Sequence, residues 1–355
     1  MTRFPVEPGC VTASWLSEVL QADVRGCELE QIAIGVGLLG RLFRAHLDGG
    51  PDVPATVVVK LPTLDATARS TICEEMEFYL REARFYQEIG LANPLRPARP
   101  YFAAFDDATH DFVLVLEDLC RLRLADQTEG CSVSDAETVI DAIAAHHAYW
   151  WESKRFASLP WLKTFDTPPI QAGVIASYET SWPTCVERVG ASLSPALRDF
   201  GDRFASLMPW FLHELTRPPL TFLHGDLRLD QLFFAVGPDD PPVTALDWQL
   251  SAKGRGAYDV GYFLSQSLTA DNRRSCEDLL LERYAQRLAE RGIDYPRTQL
   301  LRDYRLTTAW CFSYPVIAAG GIDVANDRQL ELLHTMLDSA VMAIEDHDGL
   351  SLRPD

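Results

Sequence analysis

The sequence predicts an α+β protein in which a small β-rich segment, residues 1–118, precedes a longer and mostly helical segment, residues 119–355. Short runs of β-branched and aromatic residues, separated by turn-forming residues, are concentrated in the first segment, whereas apolar residues at helical spacing dominate the second. Strands followed by helices are typical of α+β folds. A length of 355 residues favours two domains or one large two-lobed unit.

The composition excludes several classes of function. Lys and Arg total 32 against 51 Asp and Glu, and the net charge of −19 argues against a nucleic-acid partner, because phosphate backbones are bound by basic surfaces. An acidic surface suits a cationic substrate or simply favours solubility. The eight cysteines show no paired spacing, and no apolar run is long enough for a signal core or a membrane span. We therefore expect a cytoplasmic protein with reduced thiols and no membrane contact; the sequence leaves its oligomeric state open.

A hairpin around a glycine-rich loop is predicted near the start of the chain. Residues 28–34 and 41–47 have the composition of strands, and Gly35, Gly37 and Gly40 form the string G-x-G-x-x-G between them. In dinucleotide-binding folds this string opens a helix, but the segment that follows it here is short and ends at a turn. Strand, glycine loop and strand therefore favour a loop whose backbone N–H groups approach phosphate.

Lys60 lies near the end of the next predicted strand, which spans residues 55–62. An ammonium group is costly to bury without a partner, and lysine is rare here, with four among the 32 basic residues. A lysine that reaches solvent from an edge strand is the simpler explanation. The glycine loop that precedes it favours a functional lysine.

A long helix is predicted over residues 66–90, where apolar residues fall on one face at steps of four and three. Two glutamates on it, Glu75 and Glu82, lie one heptad apart, and each precedes a Phe-Tyr pair by three residues. The local pattern alone does not distinguish them.

Two further strands, residues 101–105 and 111–116, complete a five-stranded sheet, and residues 11–21 add a leading helix. Glu117 and Leu119 follow the last strand directly. Taken alone, Glu117 and the neighbouring Asp118 would be two solvated acids at the end of a strand.

The second segment is mostly helical. A capping box that begins at Ser134 opens a helix to residue 151, on which His146 and His147 point about 100° apart and cannot easily share a metal ion. Residues 153–192 are rich in Pro and aromatic residues and lack periodicity; we expect loops here, with the shaping of a substrate pocket as the alternative. Further helices are predicted over 194–216, 275–291, 298–319 and 329–344, and residues 345–355 are expected to be a frayed tail.

Two aspartates, Asp226 and Asp247, each follow a short apolar run. Residues 220–223, 232–235 and 243–246 have the composition of strands, and the turn between the last two predicts a hairpin that brings the acids together. Neighbouring carboxylates suit Mg²⁺, a hard cation that prefers oxygen ligands. One of them would alternatively accept a proton from a hydroxyl nucleophile. The plainer alternative is that each aspartate caps a turn.

The spacing in this stretch resembles the kinase superfamily. The H-G-D string that ends at Asp226, Gln231 five residues later, and the Asp-Trp pair that begins at Asp247 are similar to its catalytic loop and metal-binding aspartate. The H-G-D form resembles the aminoglycoside phosphotransferases and the choline kinase-like and ecdysteroid kinase-like small-molecule kinases. The resemblance follows nearly the whole chain in order and implies a bilobal protein kinase-like fold.

The resemblance implies roles for the catalytic stretch. Asp226 is the base that deprotonates the acceptor hydroxyl, and Asp247 holds Mg²⁺ against the phosphates of ATP. Gln231 is a further metal ligand, and it stands where the family normally has Asn. Asp259, in a helix beyond this stretch, braces the catalytic loop from behind.

The resemblance also implies a nucleotide site. The glycine loop covers the phosphates of ATP, and Lys60 neutralises two of them. Glu82 is preferred to Glu75 as the partner of the lysine, because it belongs to the E-x-x-F-Y unit nearer the helix end. Glu117 and Leu119 resemble the hinge whose backbone hydrogen-bonds adenine and joins the two lobes.

The function this implies is transfer of the γ-phosphoryl group of ATP to a hydroxyl of a small molecule, with Mg²⁺. A protein kinase is disfavoured, because H-G-D replaces H-R-D and no A-P-E segment follows. A nucleotide-binding pseudokinase or regulatory module is the alternative that Gln231 motivates, and a third possibility, unrelated turn aspartates, would leave Lys60 and the glycine loop as coincidences. The acceptor is not identified by the sequence; Trp182, Trp310 and Tyr314 are candidates for the wall of its pocket.

Overall fold

The structure, a computed structural model, describes residues 4–33, 39–190, 193–321 and 326–354. Within these residues the chain is an α+β protein with one larger antiparallel sheet and a mostly helical remainder. The predicted fold class is therefore confirmed.

All five predicted strands of the larger sheet are present. They are β1 (Val24–Ile32), β2 (Gly40–Gly49), β3 (Thr56–Pro62), β4 (Pro100–Phe105) and β5 (Phe112–Glu117). Every neighbouring pair is antiparallel, in the order β1-β2-β3-β5-β4. Most of the glycine loop, including Gly35 and Gly37, lies outside the described residues, and Gly40 begins β2.

The two faces of the sheet pack against different helices, because side chains alternate along a strand. Val57 and Val59 of β3 join Val113 of β5 in a buried cluster with the α1 helix (Ala13–Leu20). Lys60 lies between Val59 and Leu61, which both belong to that cluster. Its side chain therefore points to the opposite face of the sheet.

The helix predicted over residues 66–90 is broken, so that this prediction was wrong in part. The short α2 helix (Ala66–Ala68) continues into a wider π-helical turn (Arg69–Glu74). The α3 helix (Phe78–Glu88) begins only after Glu77, which adopts a left-handed φ of 59°.

Contacts with distant residues account for the break. Glu77 Oε1 accepts a hydrogen bond from Lys163 Nζ at 2.7 Å, and Arg81 Nη2 donates to the carbonyl of Met76 at 2.6 Å. The side chain of Met76 lies against Gly173, where an added Cβ would come within 2.8 Å of it. These tertiary contacts override the helix propensity of the segment.

The rest of the chain is mostly helical, as predicted. Its helices are α4 (Val133–Trp150), α5 (Pro168–Val189), α6 (Pro195–Leu215), α7 (Ala257–Ser267), α8 (Ala270–Ala289), α9 (Arg297–Trp310), α10 (Ser313–Gly321) and α11 (Asp327–Asp346). Its short strands are β6 (Arg123–Leu124), β7 (Thr221–Leu223), β8 (Leu232–Phe234), β9 (Val243–Ala245) and β10 (Ala252–Gly254). The predicted hairpin is the antiparallel pair β8–β9.

Two predictions in the helical part need correction. The cap of α4 is Ser132, whose Oγ accepts from the backbone N–H of Asp135 at 3.1 Å, and not Ser134. Residues 153–192 were expected to form loops but contain the long α5 helix. The helix has two prolines at its start, where no backbone N–H donor is needed, and a third inside it. These prolines concealed the helix in the sequence.

The end of the chain also differs from expectation. The helix predicted over residues 298–319 is two helices, α9 and α10, with Pro315 in the first turn of α10, where a proline is tolerated. Residues 345–355 were expected to fray, but Arg305 of α9 donates its Nε to the carbonyl of His347 at 2.7 Å. This contact fastens the segment to the helical core.

The catalytic stretch lies between two hydrophobic clusters. One joins the second face of the sheet to α3, α4, α7 and α8, and the other lies among α5, α6, α9, α10 and α11; residues between 221 and 254 contribute to both. All eight cysteines are free thiols. Among the described residues, no helix has both the length and the apolar character that a membrane crossing requires.

Candidate active site

Lys60 lies at the centre of a group of buried charges. Its Nζ is 2.7 Å from Glu82 Oε2 on α3 and 2.9 Å from Asp247 Oδ1, which lies just beyond β9. Burial lowers the pKa of Lys60, but the carboxylates of Asp247 and Glu82 outweigh this effect and raise it above its ordinary value. Burial raises the pKa of Glu82, with Lys60 acting in the opposite direction. The lysine is therefore charged, and it contacts Glu82 rather than Glu75, which is exposed.

The α3 helix is fastened to the segment that carries Asp247. The rings of Phe85 and Trp248 stack with centroids 4.0 Å apart and planes at 8°. Arg81, which is fully buried, donates its Nη1 to the carbonyl of Ser251 at 3.2 Å. Burial lowers the pKa of this guanidinium to about 10. Packing and a hydrogen bond thus hold the two segments together.

The H-G-D loop depends on a glycine and on a brace from α7. Gly225 has a φ of 87°, and a Cβ there would lie 2.2 Å from the carbonyl oxygen of Leu250, so that only glycine fits. Asp259 accepts from the backbone N–H of His224 at 2.7 Å and from that of Gly225 at 3.0 Å. His147 Nε2 lies 3.2 Å from the same carboxylate. Asp259 therefore occupies the bracing position that the sequence indicates.

Three donors surround the carboxylate of Asp226. The hydroxyl of Tyr262 donates to Oδ1 at 2.7 Å, and Arg228 Nε lies 3.3 Å from the same oxygen. Gln231 Nε2 donates to Oδ2 at 3.3 Å. Because both oxygens have partners, the orientation of the carboxylate is fixed.

Gln231 lies between the two aspartates. The same Nε2 that contacts Asp226 is 3.4 Å from Asp247 Oδ2. Gln249 donates its own Nε2 to Asp247 Oδ2 at 3.2 Å. Its Oε1 is buried and has no hydrogen-bond partner within the described part of the chain.

Oxygens of the kind that Mg²⁺ binds are present on the side chains around Asp247. Asp247 carries a carboxylate, and Gln231 and Gln249 carry amide oxygens, but both amides turn Nε2 toward Asp247 Oδ2, so each would have to rotate to offer its oxygen to a metal ion. The partnerless Oε1 of Gln249 is an acceptor that a bound cation would satisfy. Across residues 4–33, 39–190, 193–321 and 326–354, no three His, Cys, Asp or Glu side chains converge as a metal site. Amide oxygens, water and substrate phosphate would therefore complete the ligand set.

The family model described as the ecdysteroid kinase-like family matches residues 37–293, well over half of the 355 residues. This chain belongs to the ecdysteroid kinase-like family. No curated protein matches it.

Solved structures share the fold of this ecdysteroid kinase-like protein at low sequence identity. Choline kinase from Cryptosporidium parvum is 10% identical, with 92% of this chain and 91% of that chain covered and a TM-score of 0.57. A Ralstonia eutropha structure assigned as an aminoglycoside phosphotransferase is 19% identical, with 95% and 97% covered and a TM-score of 0.55. The GDP complex of wild-type aminoglycoside 2′-phosphotransferase-IIIa is 13% identical, with 93% and 99% covered and a TM-score of 0.53. These likenesses confirm the predicted kinase-like fold.

The segment predicted as the hinge of this ecdysteroid kinase-like chain is tied down by ion pairs. Glu117 Oε2 is 2.8 Å from Arg96 Nη2, and Asp118 Oδ2 is 2.7 Å from Arg44 Nε. The simpler explanation, a strand end with two solvated acids, was therefore wrong. Leu119 is buried. The adenine-binding role of Glu117 and Leu119 stays a prediction.

Gly40 is the described part of the predicted phosphate loop. A Cβ at this position would lie 3.1 Å from Lys60 Cε, so the backbone of β2 passes directly beside the lysine side chain. The roles proposed for Gly35 and Gly37 fall outside the described residues.

The aromatic residues suggested as a pocket wall lie in different places. Tyr314 stacks on Tyr262 with centroids 4.2 Å apart and donates its hydroxyl to the carbonyl of Gly225 at 3.1 Å. Trp310 is buried, and its Nε1 donates to the hydroxyl of Tyr258 at 3.0 Å. Trp182 of α5 packs against α6 and is not part of this group. Only Tyr314 is brought to the catalytic loop.

Sequence reasoning missed Tyr262, Arg228 and Gln249. Each lies a short distance from a residue that was singled out: Tyr262 is one helical turn after Asp259, and the other two are two residues after Asp226 and Asp247 respectively. Helical spacing places Tyr262 on the same face of α7 as the bracing aspartate. That spacing was the available signal for a second contact between α7 and the loop.

Proposed function

We propose that this ecdysteroid kinase-like protein transfers the γ-phosphoryl group of ATP to a hydroxyl of a small molecule. The observation that carries the proposal is a continuous chain of contacts from Lys60 through Asp247 and Gln231 to Asp226. It brings together an ammonium that neutralises phosphate, oxygen ligands suited to Mg²⁺ and a candidate base. We assign the nucleotide site to residues 1–118 and the acceptor site, with the catalytic loop, to residues 119–355.

Charged side chains would bind the phosphates on the nucleotide side of the site. Lys60, kept charged by Glu82 and Asp247, would neutralise the α- and β-phosphates. Gly40 lets the loop backbone approach them, and the backbone of the segment from Glu117 to Leu119 would bind adenine. Mg²⁺, when bound by the oxygens of Asp247, Gln231 and Gln249, supplies charge neutralisation at the transferred group.

Asp226 would act as the base. Its Oδ1 has two donors, Tyr262 and Arg228, whereas Oδ2 has one, Gln231 Nε2 at 3.3 Å, so Oδ2 is the oxygen better placed to accept the proton of the acceptor hydroxyl. As the hydroxyl oxygen bonds to the γ-phosphorus, the bond from that phosphorus to the bridging oxygen breaks and ADP leaves with the electron pair. The proton remains on Asp226.

The acceptor is proposed by class. By their names, solved structures of this fold include choline kinase, ethanolamine kinase and aminoglycoside phosphotransferases, whose acceptors are small hydroxylated molecules. We propose an acceptor of that kind for this chain, and a cytoplasmic location, because all eight cysteines are free thiols as expected in a reducing compartment.

One observation favours a second candidate, a nucleotide-binding pseudokinase. The amide nitrogen of Gln231, and not an oxygen, faces both aspartates. If this orientation persists in solution, the amide would occupy space that Mg²⁺ requires.

The experiment that decides between them uses the purified chain with ATP and Mg²⁺. Amino alcohols, amino sugars, sugars and sterols are offered in turn, and both ADP and phosphorylated acceptor are measured, with Asp226→Asn as the matched control. Formation of a phosphorylated acceptor that Asp226→Asn does not support is the expected result. ATP binding without any transfer, with or without a dependence on metal, would support the pseudokinase, and no ATP binding at all would overturn both functions.

A further inference from the structure

Two adjacent cavities on the helical part share no lining residue with the candidate active site. One, of about 370 Å³, lies among the end of α6, α9 and the C-terminal segment; the other, of about 430 Å³, adjoins it at the start of α9. Arg217 and Arg302 line both cavities. We call the pair the arginine cavities.

Positive charge is concentrated in the arginine cavities although the chain carries a net charge of −19. Their basic lining residues are Arg217, Arg255, Arg302, Arg305 and Arg353, and their acidic lining residue is Glu214. Glu214, Asp303 and Asp348 form ion pairs with four of these arginines. Among the described lining residues, basic side chains therefore outnumber acidic ones.

The floor of the arginine cavities is rigid. Arg255, with 7% of its side chain exposed, pairs with Asp303 and donates its Nε to the carbonyl of Arg217 at 3.0 Å. Glu214 lies between Arg217 Nη1, at 2.9 Å, and Arg302 Nη2, at 2.5 Å. Burial opposes ionisation of Glu214, but the two arginines outweigh it and lower its pKa. The carboxylate therefore stays charged and positions both guanidinium groups.

The rim of the arginine cavities is accessible. The side chains of Arg217 and Arg302 are 52% and 49% exposed. Arg353 is exposed, and within the described residues no carboxylate lies within ion-pair distance of it. Trp210, half-buried, and Leu352 form an apolar wall beside these charges.

We propose that the arginine cavities bind a small molecule that carries a phosphate monoester next to a flat apolar portion. Guanidinium groups match phosphate oxygens in pairs of hydrogen bonds, so that the several arginines lining these adjoining cavities favour a phosphate group. The apolar wall at Trp210 would receive the group to which the phosphate is attached. The proposal is independent of phosphoryl transfer at Asp226.

The probes are phenyl phosphate and inorganic phosphate, titrated into the full chain by calorimetry at constant ionic strength. Arg353→Ala and Arg217→Ala should each weaken phenyl phosphate binding about tenfold, as expected for loss of a charge-assisted contact. Trp210→Ala should weaken phenyl phosphate and leave inorganic phosphate unchanged. Arg25→Ala is the matched control, because Arg25 is similarly exposed, at 60%, but lies on β1; its affinity should equal that of the parent.

Two results would overturn the proposal. Phenyl phosphate binding that survives both Arg217→Ala and Arg353→Ala, or that ATP displaces competitively, would place the phosphate in the nucleotide site. Stabilisation of the fold by chloride equal to that by phosphate, at matched ionic strength, would show only screening of the arginines. Because no variant in the test touches Lys60, Asp226 or Asp247, its result does not depend on whether the protein transfers phosphate.

Discussion

The two halves of the candidate active site are built in different ways. On the nucleotide side, Lys60 of β3, Glu82 of α3 and Asp247 after β9 come from elements far apart in sequence and meet through ion pairs. On the acceptor side, Asp226 sits on one short loop and is held by neutral and charged donors from α7 and from the loop itself, Tyr262 and Arg228.

The difference predicts which substitutions should weaken nucleotide binding and which should lower the rate of phosphoryl transfer. Removing one charge on the nucleotide side leaves the others buried and unpaired, so binding should suffer. Removing a group on the acceptor side leaves the ion pairs intact, so turnover should suffer while nucleotide binding persists. The predictions below test this contrast.

The largest effect is expected for Asp226→Asn. The amide keeps the shape of the carboxylate but cannot accept the proton, so kcat should fall by about 10²- to 10⁴-fold. Affinity for Mg-ATP should change little, because in the proposed mechanism Asp226 would contact the acceptor and not the nucleotide. Steady-state kinetics and ATP titration check both parts, and retained turnover would remove Asp226 from the role of base.

The second largest effect is expected on the nucleotide side. Lys60→Ala should weaken ATP binding roughly tenfold to a hundredfold, since a charge-assisted contact is lost. Glu82→Ala should act in the same direction but more mildly, because it only releases the lysine. ATP affinity is measured by titration.

Glu75→Ala is the control for these variants, since Glu75 is exposed and makes no contact with Lys60. If Glu75→Ala weakened ATP binding and Glu82→Ala did not, the assignment of the lysine partner would be wrong.

Tyr262→Phe should affect only the acceptor side. Loss of a hydrogen bond to a charged group predicts a fall of roughly tenfold in kcat. The KM for ATP and the melting temperature should stay close to those of the parent. Tyr149→Phe, at an exposed tyrosine on α4, is the control; a rise in the KM for ATP in Tyr262→Phe would break the separation between the two sides.

The smallest effect is expected for Gln231→Asn, at the boundary between the two sides. This change shortens the side chain by one carbon–carbon bond, about 1.5 Å, and should preserve activity or raise it by at most about tenfold. Asp247→Asn at the same boundary should, by contrast, have a large effect and abolish metal-dependent ATP binding. Thermal-shift titration with ATP and Mg²⁺ or Mn²⁺ measures both, and the absence of a metal-dependent shift in the parent and in Gln231→Asn would mean that the site does not assemble.

Much of the site was predictable because its residues occur at fixed spacings. Asp226, Gln231 and Asp247 were identified from their intervals, and Lys60 from its place at the end of a β-branched strand. The structure brings all four within one chain of contacts. Their chemical roles remain proposals.

What the sequence did not reveal depends on contacts between distant residues. The break before α3 requires Glu77 to meet Lys163 and Met76 to meet Gly173, and no local pattern contains these pairs. The α5 helix was concealed by prolines, whose position in a helix matters more than their number. The contact of Tyr262 with Asp226 likewise needs the docking of α7 under the loop.

The stack of Phe85 on Trp248 fixes the spacing between α3 and the segment of Asp247, where we propose that the nucleotide binds. Because α3 also packs against β4 and β5, it lies as a wedge between the sheet and that segment. Moving the two apart would break both this stack and the ion pairs of Lys60. Lys60, Glu82 and Asp247 are therefore held together without a ligand, which lowers the entropic cost of ordering these three side chains when a nucleotide binds.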